Sequence, residues 1–487
     1  MITRARTPQS AERRRAARER GFTLIELIVA MVAGLIVALS VVALSREASN
    51  TFHEETRVAS AEMQLRTAMD RLRADLQRAA FMSTGNIFID PTILTTPGTA
   101  TNVAGISLAT YGSSTTAMDL YSLAGLRLWQ NTSPAAMTLN AVNNVSPDAI
   151  DIAGNMTGVE ILSVGPTPKG LGGGPAIQNN TGCNSTGQRI YLDVLSTPAL
   201  WRTVGMSPTG TDATYGAQLV SAFQPVQGKS FIVRIVDNNT HKVQYAATCK
   251  TTNPTTQWTS SNAEPGSWNP QGASVPPTPY IDLQSNAITL NGTQPDATIN
   301  PVQIVHWQVV PTVINAPGGT DSTKYDLTRQ YVDATGALVG SPEVVAEYAV
   351  DLKFAFTVDN VASTTGDYST QAGTPMIVNA FEDGSNGTIK NSVVAGDVQN
   401  SAVPYAGGVE PQRIRSVRVR LVTRSPLQDR SDPLTPAGPA AENDYLYRYC
   451  LVANATTCSS AGNPVFARTR TMITEVSLPN QAKLWFR

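Results

Sequence analysis

An uninterrupted apolar segment close to the N-terminus constrains this chain more than any other feature of its sequence. Leu27–Leu44 contains 18 residues without a charge, and only Gly34 and Ser40 interrupt its apolar side chains. A helix needs about 20 apolar residues to cross the hydrocarbon core of a bilayer. The segment therefore predicts a helix that spans, or nearly spans, a membrane.

The residues in front of the apolar segment are polar and basic. Residues 1–21 hold seven arginines against Glu12 and Glu19, a net charge of +5, which leaves −6 for residues 22–487 of a chain whose total is −1. Basic residues beside a membrane helix favour the cytoplasmic side. We therefore expect a cytoplasmic N-terminus, with the chain after Leu44 in the periplasm or beyond it.

A secretory signal peptide and a plain signal anchor are the alternatives for such an N-terminus. A signal peptide predicts a cleavage site of small residues after the apolar stretch. Ser45-Arg46-Glu47 follows instead, and the helical pattern continues past it. The sequence favours a retained helix, and the signal anchor stays open as an alternative.

Glu26 places a carboxylate among the apolar side chains that begin at Phe22. An ionised group inside a membrane costs roughly 2.5–3.5 kcal/mol unless it is paired, so such groups are rarely accidental. If the chain is cut after Gly21, Phe22 gains a free α-amine four residues ahead of Glu26. The amine and the carboxylate of neighbouring subunits would then neutralise each other as helices stack.

The same residues resemble a known processing motif. Gly21-Phe22-Thr23-Leu24-Ile25-Glu26 is similar to the cleavage and N-methylation motif of type IV pilins and of type II secretion pseudopilins. The resemblance implies cleavage by the prepilin peptidase between Gly21 and Phe22, methylation of the Phe22 amine, and recruitment of the subunit into a filament through Glu26.

The helical pattern becomes amphipathic after Arg46. Apolar residues recur at spacings of three, four and seven, at Val58, Leu65, Met69, Leu72 and Leu76, which predicts one buried helix face. The charged residues assigned to the other faces are Arg57, Glu62, Arg66, Asp70, Arg71, Arg73, Asp75 and Arg78. We predict one helix from about Thr23 to about Phe81, with Gly85 as its stop signal.

Alternating apolar and polar residues predict antiparallel strands in the rest of the chain. The clearest is Tyr348–Val358, whose polar face, with Asp351 and Lys353, is expected to be exposed. The other predicted strands are Val417–Leu421, Met472–Leu478, Ala149–Ile152, Arg189–Leu195, Phe231–Val236 and Val302–Val310. Tracts rich in Thr, Asn, Gly and Pro are expected to separate them, at 92–105, 131–147, 250–300 and 361–400. The fold class predicted is α+β, a long N-terminal helix packed on an antiparallel β-sheet head.

Several later stretches are similar to the minor pilins called PilW. They are Met69–Ala80, Glu343–Asp359, Leu421–Ser425 and the closing Arg470–Asn480. The resemblance implies a type IV pilin-like fold, and the length of the chain suggests a large β-rich insertion at about 160–340. The domains expected are a leader peptide 1–21, a transmembrane or filament-core half-helix 22–45, an amphipathic half-helix 46–85, a β-rich head with the insertion 86–340, and C-terminal strands of the head 341–487.

The cysteines favour an oxidising compartment. The chain has four, without a metal-like Cys-x-x-Cys spacing: Cys183, Cys249, Cys450 and Cys458. An even number in a secreted chain favours disulfides. Three pairings are open, and short loops favour Cys183–Cys249 and Cys450–Cys458. Buried free thiols are the alternative.

No arrangement of residues predicts catalysis, a metal site or a cofactor. The three histidines, His53, His241 and His306, form no zinc-like pair, and each is interpreted as a surface or packed side chain. No nucleophile elbow or phosphate-binding loop occurs. We interpret the four arginines Arg415, Arg418, Arg420 and Arg424 as a solvated strand face or a protein interface. With an acidic mature chain, nucleic-acid binding is not expected.

The sequence leaves three functions open. The first is a minor pilin near the tip of a type IV pilus that primes assembly and supports motility and adhesion. The resemblance then implies other minor pilins, the major pilin, a PilY1-like tip adhesin and the inner-membrane assembly platform as partners, with the processed chain at the cell surface. The second is a minor pseudopilin of type II secretion, and the third is an adhesive or DNA-binding module on a pilin stem.

Overall fold

The computed structural model describes part of the chain and divides it into two units, Met1–Ala59 and Ser60–Arg487. The described residues are 22–83, 123, 125–129, 137–157, 161–165, 177–179, 187–192, 221–249, 280–284, 288, 290, 296–312, 314–316, 319–321, 324–360, 374–378, 414–426, 444–451 and 466–482. The predicted boundaries at residues 86, 160 and 340 are untested by this division and stay predictions.

The first element is the long helix α1, Leu24–Gln77. In the first unit, every described side chain from Phe22 to Arg57 is exposed. The hydroxyl of Ser40, inside the apolar run, donates to the carbonyl of Ile36 at 2.8 Å. This bond back to the preceding turn satisfies the polar side chain without water, so Ser40 is compatible with an apolar surrounding.

The second unit buries one face of the last turns of α1. Leu65, Met69, Leu72 and Leu76 are all buried, which confirms the predicted apolar stripe from Leu65 onward, whereas Val58 is only half-buried. The prediction for Asp75 was wrong, because its carboxylate is buried among sheet residues rather than exposed. The expected Glu62–Arg66 pair is present, with 2.5 Å between the side-chain atoms.

The helix ends earlier than predicted, at Gln77 rather than near Phe81. Ala80 and Met82 have φ of 59° and 53°, a left-handed conformation that an α-helix cannot contain. The amide side chain of Asn480 donates to the carbonyl of Gln77 at 2.9 Å. The stop is therefore a turn at residues 78–82 capped by the distant C-terminal part of the chain, and Gly85 lies outside the described residues.

A strand of the first sheet fixes this turn. The Ala80 amide donates to the Ala153 carbonyl, and the Asn155 amide donates to the Phe81 carbonyl, both at 2.8 Å. Between them lies Gly154, where a Cβ would stand 2.3 Å from the Arg78 carbonyl oxygen. Only glycine permits this close approach of the two backbones.

The first sheet has eight strands among the described residues, all pairing antiparallel. They are β1 Leu126–Trp129, β2 Ala149–Gly154, β3 Leu162–Val164, β6 Ile232–Asp237, β7 Val243–Ala247, β9 Ala297–Pro311, β12 Tyr325–Val332 and β13 Leu338–Ala346. The order across one half is β1-β2-β9-β12-β13, and the N-terminal half of β9 pairs with β3 and β6. The 15-residue β9 thus joins both halves of the sheet.

The second sheet has five described strands in the order β15-β14-β16-β18-β17. They are β14 Ala349–Asn360, β15 Thr374–Val378, β16 Ile414–Arg424, β17 Arg448–Cys450 and β18 Phe466–Ser477. A three-stranded sheet contains β4 Ile177–Asn179, β5 Gln188–Tyr191 and β8 Tyr280–Leu283, and a hairpin contains β10 Ile314–Ala316 and β11 Gly319–Asp321. A long N-terminal helix and antiparallel sheets confirm the α+β class.

Two short α-helices are also described, α2 Thr138–Val142 and α3 Pro479–Ala482, together with a 3-10 helix at Asp444–Leu446. α2 lies within residues 131–147, a tract predicted to separate strands, and it lies between β1 and β2. Its Asn140 side chain donates to the Val350 carbonyl at 3.1 Å, and Asn143 exchanges two hydrogen bonds with the backbone of Cys450. These buried amides tie α2 to the second sheet, and local sequence carries no signal for partners so far away.

The largest apolar core of the second unit lies where α1 meets both sheets. It contains the buried α1 face together with Ile150, Trp307, Leu352 and Val419. Phe354 and Phe356 of β14 enter the same cluster. The main core is therefore shared by the helix, the first sheet and the second sheet.

Candidate functional site

The start of α1 carries a reciprocal cap formed by Thr23 and Glu26. The Glu26 amide donates to the Thr23 hydroxyl oxygen at 3.3 Å, and the Thr23 amide and hydroxyl both donate to Glu26 Oε2 at 3.0 Å. This is a capping box, in which two otherwise unpaired amides of the first turn are satisfied. The spacing Thr-x-x-Glu was visible in the sequence, but its capping role was missed.

The cap also gives Glu26 a partner within its own chain. Its carboxylate is held against the first turn, where the helix dipole favours a negative charge. Phe22 precedes the cap directly and is 84% exposed. The structure therefore brings the proposed methylation site and Glu26 to the same end of α1, while Gly21 lies outside the described residues.

The surface that follows is apolar and uncovered. The most apolar 18-residue window of α1 has a mean hydropathy of 3.0, and none of it is buried. Leu27, Leu35 and Val42 are 54%, 63% and 64% exposed. A soluble protein rarely leaves so large an apolar surface in water, and no described residue covers it.

The other end of α1 carries a buried ionic contact. Arg329 Nε on β12 donates to Asp75 Oδ2 at 2.7 Å, and the Trp307 indole on β9 donates to the same oxygen at 3.1 Å. Burial alone would lower the pKa of Arg329, but the nearby Asp75 carboxylate outweighs burial and raises it. This contact fixes the rotation of the helix against the first sheet.

The arginines of β16 are not a solvated face. Arg420 is buried and donates to Asp351 Oδ2 at 3.1 Å and to the Tyr445 hydroxyl at 2.6 Å. The guanidinium of Arg424, also buried, lies 5.0 Å from the Tyr348 ring centroid. The exposed-face prediction was therefore wrong for Arg420 and Arg424 as well as for Asp351, which is 0% exposed.

These side chains are buried because other elements also pack on this face of the second sheet. The 3-10 helix Asp444–Leu446 carries Tyr445 across Arg420, and burial raises the pKa of the Tyr445 phenol. Asp148, ahead of β2, forms an ion pair with Lys353 at 2.9 Å. A strand whose two faces are both covered shows alternation in sequence but not in exposure.

His306 is packed rather than free, as interpreted from the sequence. Its Nδ1 lies 2.6 Å from Asp151 Oδ1 on the neighbouring strand β2, and the Trp129 indole on β1 donates to Asp151 Oδ2 at 2.9 Å. Burial alone would lower the pKa of His306, but the Asp151 charge and hydrogen bond outweigh burial and raise it. Within the described residues, no group of His, Cys, Asp and Glu forms a metal site.

Cys249 and Cys450 are both disulfide-bonded. Cys183 and Cys458 lie outside the described residues. The preferred pairing of Cys183 with Cys249 and of Cys450 with Cys458 stays a prediction.

Comparison with known proteins identifies one feature of the chain. Residues 16–42 match the family described as the prokaryotic N-terminal methylation motif. Neither curated proteins nor solved structures gave a match. The motif indicates a type IV pilin-like or pseudopilin protein, a structural class rather than an enzyme family. Proteins with this motif are membrane-anchored precursors that the prepilin peptidase processes before they assemble with other pilins.

Proposed function

We propose that the chain is a minor pilin of a type IV pilus, PilW-like, that acts near the pilus tip to prime assembly and to support motility and adhesion. The observation that carries the proposal is the methylation motif placed on a continuous helix, α1, whose first half is exposed and apolar. The β-rich second unit would be the head of the subunit, with partners among the other minor pilins, the major pilin, a tip adhesin and the assembly platform.

The proposed maturation acts at the cap of α1. Cleavage between Gly21 and Phe22 would leave the Phe22 amine, once methylated, directly ahead of Thr23. Glu26 would then exchange its contact with Thr23 for the amine of a neighbouring subunit as the helix leaves the membrane. The leader residues 1–21 stay in the cytoplasm in this proposal, and the second unit lies on the periplasmic side before assembly.

The charge of Glu26 and its capping role are separable. Glu26→Gln keeps an oxygen acceptor at the third helical position, which caps as glutamate does, but it has no charge to pair with an amine. Glu26→Asp keeps the charge and is the matched control. In cells, we expect both variants to be cleaved, the glutamine variant to be lost from sheared surface filaments, and the aspartate variant to be retained at least in part.

Normal incorporation of Glu26→Gln would contradict the proposed recruitment by charge pairing.

A strain that lacks the chain distinguishes the pilus function from the secretion function. Deletion of the chain should abolish surface pili and twitching and leave protein secretion intact. Loss of secretion with normal pili would instead assign the chain to the pseudopilins.

A further inference from the structure

The outer edge of β18 has no partner strand among the described residues over most of its length. β17 pairs with β18 only over Phe466–Arg468, whereas β16 pairs with the opposite side over Thr469–Ser477. We call the outer side of Thr471–Ser477 the open edge. Within the described part of the chain, no strand pairs with it.

Two hydrogen bonds show which backbone groups face outward. The Thr469 amide donates away from β16, to the Tyr447 carbonyl at 3.2 Å, and the Leu478 amide donates toward β16, to the Arg415 carbonyl at 2.9 Å. Facing directions alternate along an antiparallel strand. The amides and carbonyls of Thr471, Ile473 and Glu475 therefore point out of the sheet, and no described residue bonds to them.

The side chains at the same positions are exposed, and Ile473 is 46% exposed. The Thr471 hydroxyl donates to the Leu446 carbonyl at 3.3 Å, so the uncovered part of the edge is Ile473–Ser477. On the opposite face, Val476 is buried and Met472 packs against the main core. A strand added at the open edge would thus extend both an existing core face and an exposed face.

The edge of the first sheet that β13 forms is different. β13 contains Pro342, which has no amide hydrogen, and the charged Glu343, and its pairing with β12 shifts register twice. Each of these features opposes pairing with another chain. Between Thr471 and Ser477 there is no proline, and the pairing with β16 has no register shift. One edge is thus protected against strand addition, and the other is not.

Charge on the exposed face indicates what the added strand carries. Glu475 lies directly opposite Arg418 on β16, but within the described residues no basic side chain forms an ion pair with it, and its carboxylate accepts only from Ser416, at 2.6 Å. Opposite charges in directly opposed positions stabilise a sheet. A basic residue on the added strand would meet Glu475, and an apolar residue would meet Ile473.

We infer that the open edge of β18 binds an extended segment of another polypeptide, which adds a strand with an apolar residue opposite Ile473 and Lys or Arg opposite Glu475. Main-chain hydrogen bonds supply the affinity in such strand addition, and side chains supply the specificity. The inference does not depend on the proposed pilus function.

The test uses the full-length chain in detergent micelles and a fluorescein-labelled heptapeptide, Thr-Val-Lys-Val-Val-Leu-Thr. In antiparallel register its lysine meets Glu475 and its fifth residue meets Ile473. Fluorescence anisotropy should show saturable binding. Ile473→Pro deletes one outward amide while the bonds to β16, made by its neighbours, remain, and binding should weaken by about tenfold or more. Ile473→Val is the matched control and should bind as the parent chain does.

A charge exchange keeps the test decisive if the proline variant misfolds. Glu475→Lys should bind the lysine peptide more weakly and bind a peptide with glutamate at the third position more tightly. Absence of binding to the parent chain, or equal binding by all variants, would overturn the inference. A parent chain that dimerises in sedimentation, with Ile473→Pro monomeric and no peptide bound, would assign the edge to a second copy and also overturn it.

Discussion

One helix, α1, passes through two environments. In the first unit, Leu35 and Val42 are as exposed as surface residues, although they are strongly apolar. In the second unit, Leu72 and Leu76 are 0% exposed, and even the charged Asp75 is buried. The apolar residues in one half of α1 therefore pack within the second unit, whereas no described residue covers those in the other half.

The difference shows what each half depends on. The buried half is held by side chains of this chain, so its stability is a property of the second unit. No described residue covers the apolar surface of the exposed half. Burial of that surface by a membrane or by other subunits would be favourable by about 25 cal/mol per Å².

The largest expected contrast is between two acidic residues of α1. Asp75→Ala removes the carboxylate that Arg329 Nε contacts and leaves Arg329, among the described acidic residues, with only Glu343, which is 3.6 Å away and half exposed. Removing one partner of a buried pair costs up to about 3–5 kcal/mol. Glu62→Ala removes a pair with Arg66 whose side chains are 45% and 68% exposed, and it should cost less than about 0.5 kcal/mol. Urea unfolding followed by tryptophan fluorescence measures both, and equal costs would refute the difference between a buried and an exposed ion pair on the same helix.

Replacing a leucine should cost more free energy of unfolding in the buried half of α1 than in the exposed half. Leu72→Ala removes a fully buried side chain, and we expect the free energy of unfolding to fall by about 2–5 kcal/mol. Leu35→Ala, at a residue that is 63% exposed, should change it by no more than about 0.5 kcal/mol. If Leu35→Ala destabilised the second unit as much as Leu72→Ala, the exposed half would have an intrachain partner after all.

The predictions from sequence were wrong where residues far apart in the chain contact each other. The apolar stripe of α1 and the strands around Val419 and Phe354 followed from periodicity, because one side of each packs on a single core. Asp75, Arg420 and Asn140 could not be assigned from local pattern, since their partners lie in other strands. A polar residue of a buried pair is predicted to be exposed, because the local sequence does not show the partner that the fold places beside it.

The candidate site depends on local sequence instead. Residues 16–42 match the methylation motif, and the roles assigned to Phe22 and Glu26 from residue type and spacing stay predictions. The capping role of Thr23 was equally local, and the Thr-x-x-Glu spacing would have revealed it. The open edge of β18 was not accessible from sequence, because it depends on where β17 ends.

The cap provides a smaller effect at the exposed end of α1. Thr23→Ala removes the acceptor for the Glu26 amide, and the loss of such a cap costs about 1 kcal/mol. Hydrogen exchange of that amide in micelles should accelerate by roughly fivefold. Thr23→Ser retains the hydroxyl and should exchange at the parent rate. An unchanged rate in Thr23→Ala would show that the cap is not formed in the membrane-like environment.

The smallest effect concerns His306, a buried histidine in the second unit. Since Asp151 raises the pKa of His306 in the folded chain, its contribution to stability is present below the unfolded pKa of about 6.5 and is lost as pH rises through the folded value. The free energy of unfolding should therefore fall as the pH rises above about 6.5. His306→Gln should weaken the pH dependence of the free energy of unfolding. The matched substitution His53→Gln, at an exposed residue, should leave that pH dependence unchanged. A steeper loss toward acid in the parent chain would contradict the sign.

The most direct test of the account is intact-mass and N-terminal peptide analysis of this protein in sheared surface filaments. The account predicts a chain that begins at N-methylated Phe22 and lacks residues 1–21, since the exposed half of α1 is then buried among other subunits. A chain that keeps Met1 and stays in the inner membrane would contradict it, and α1 would then be a membrane anchor whose apolar half faces lipid alone.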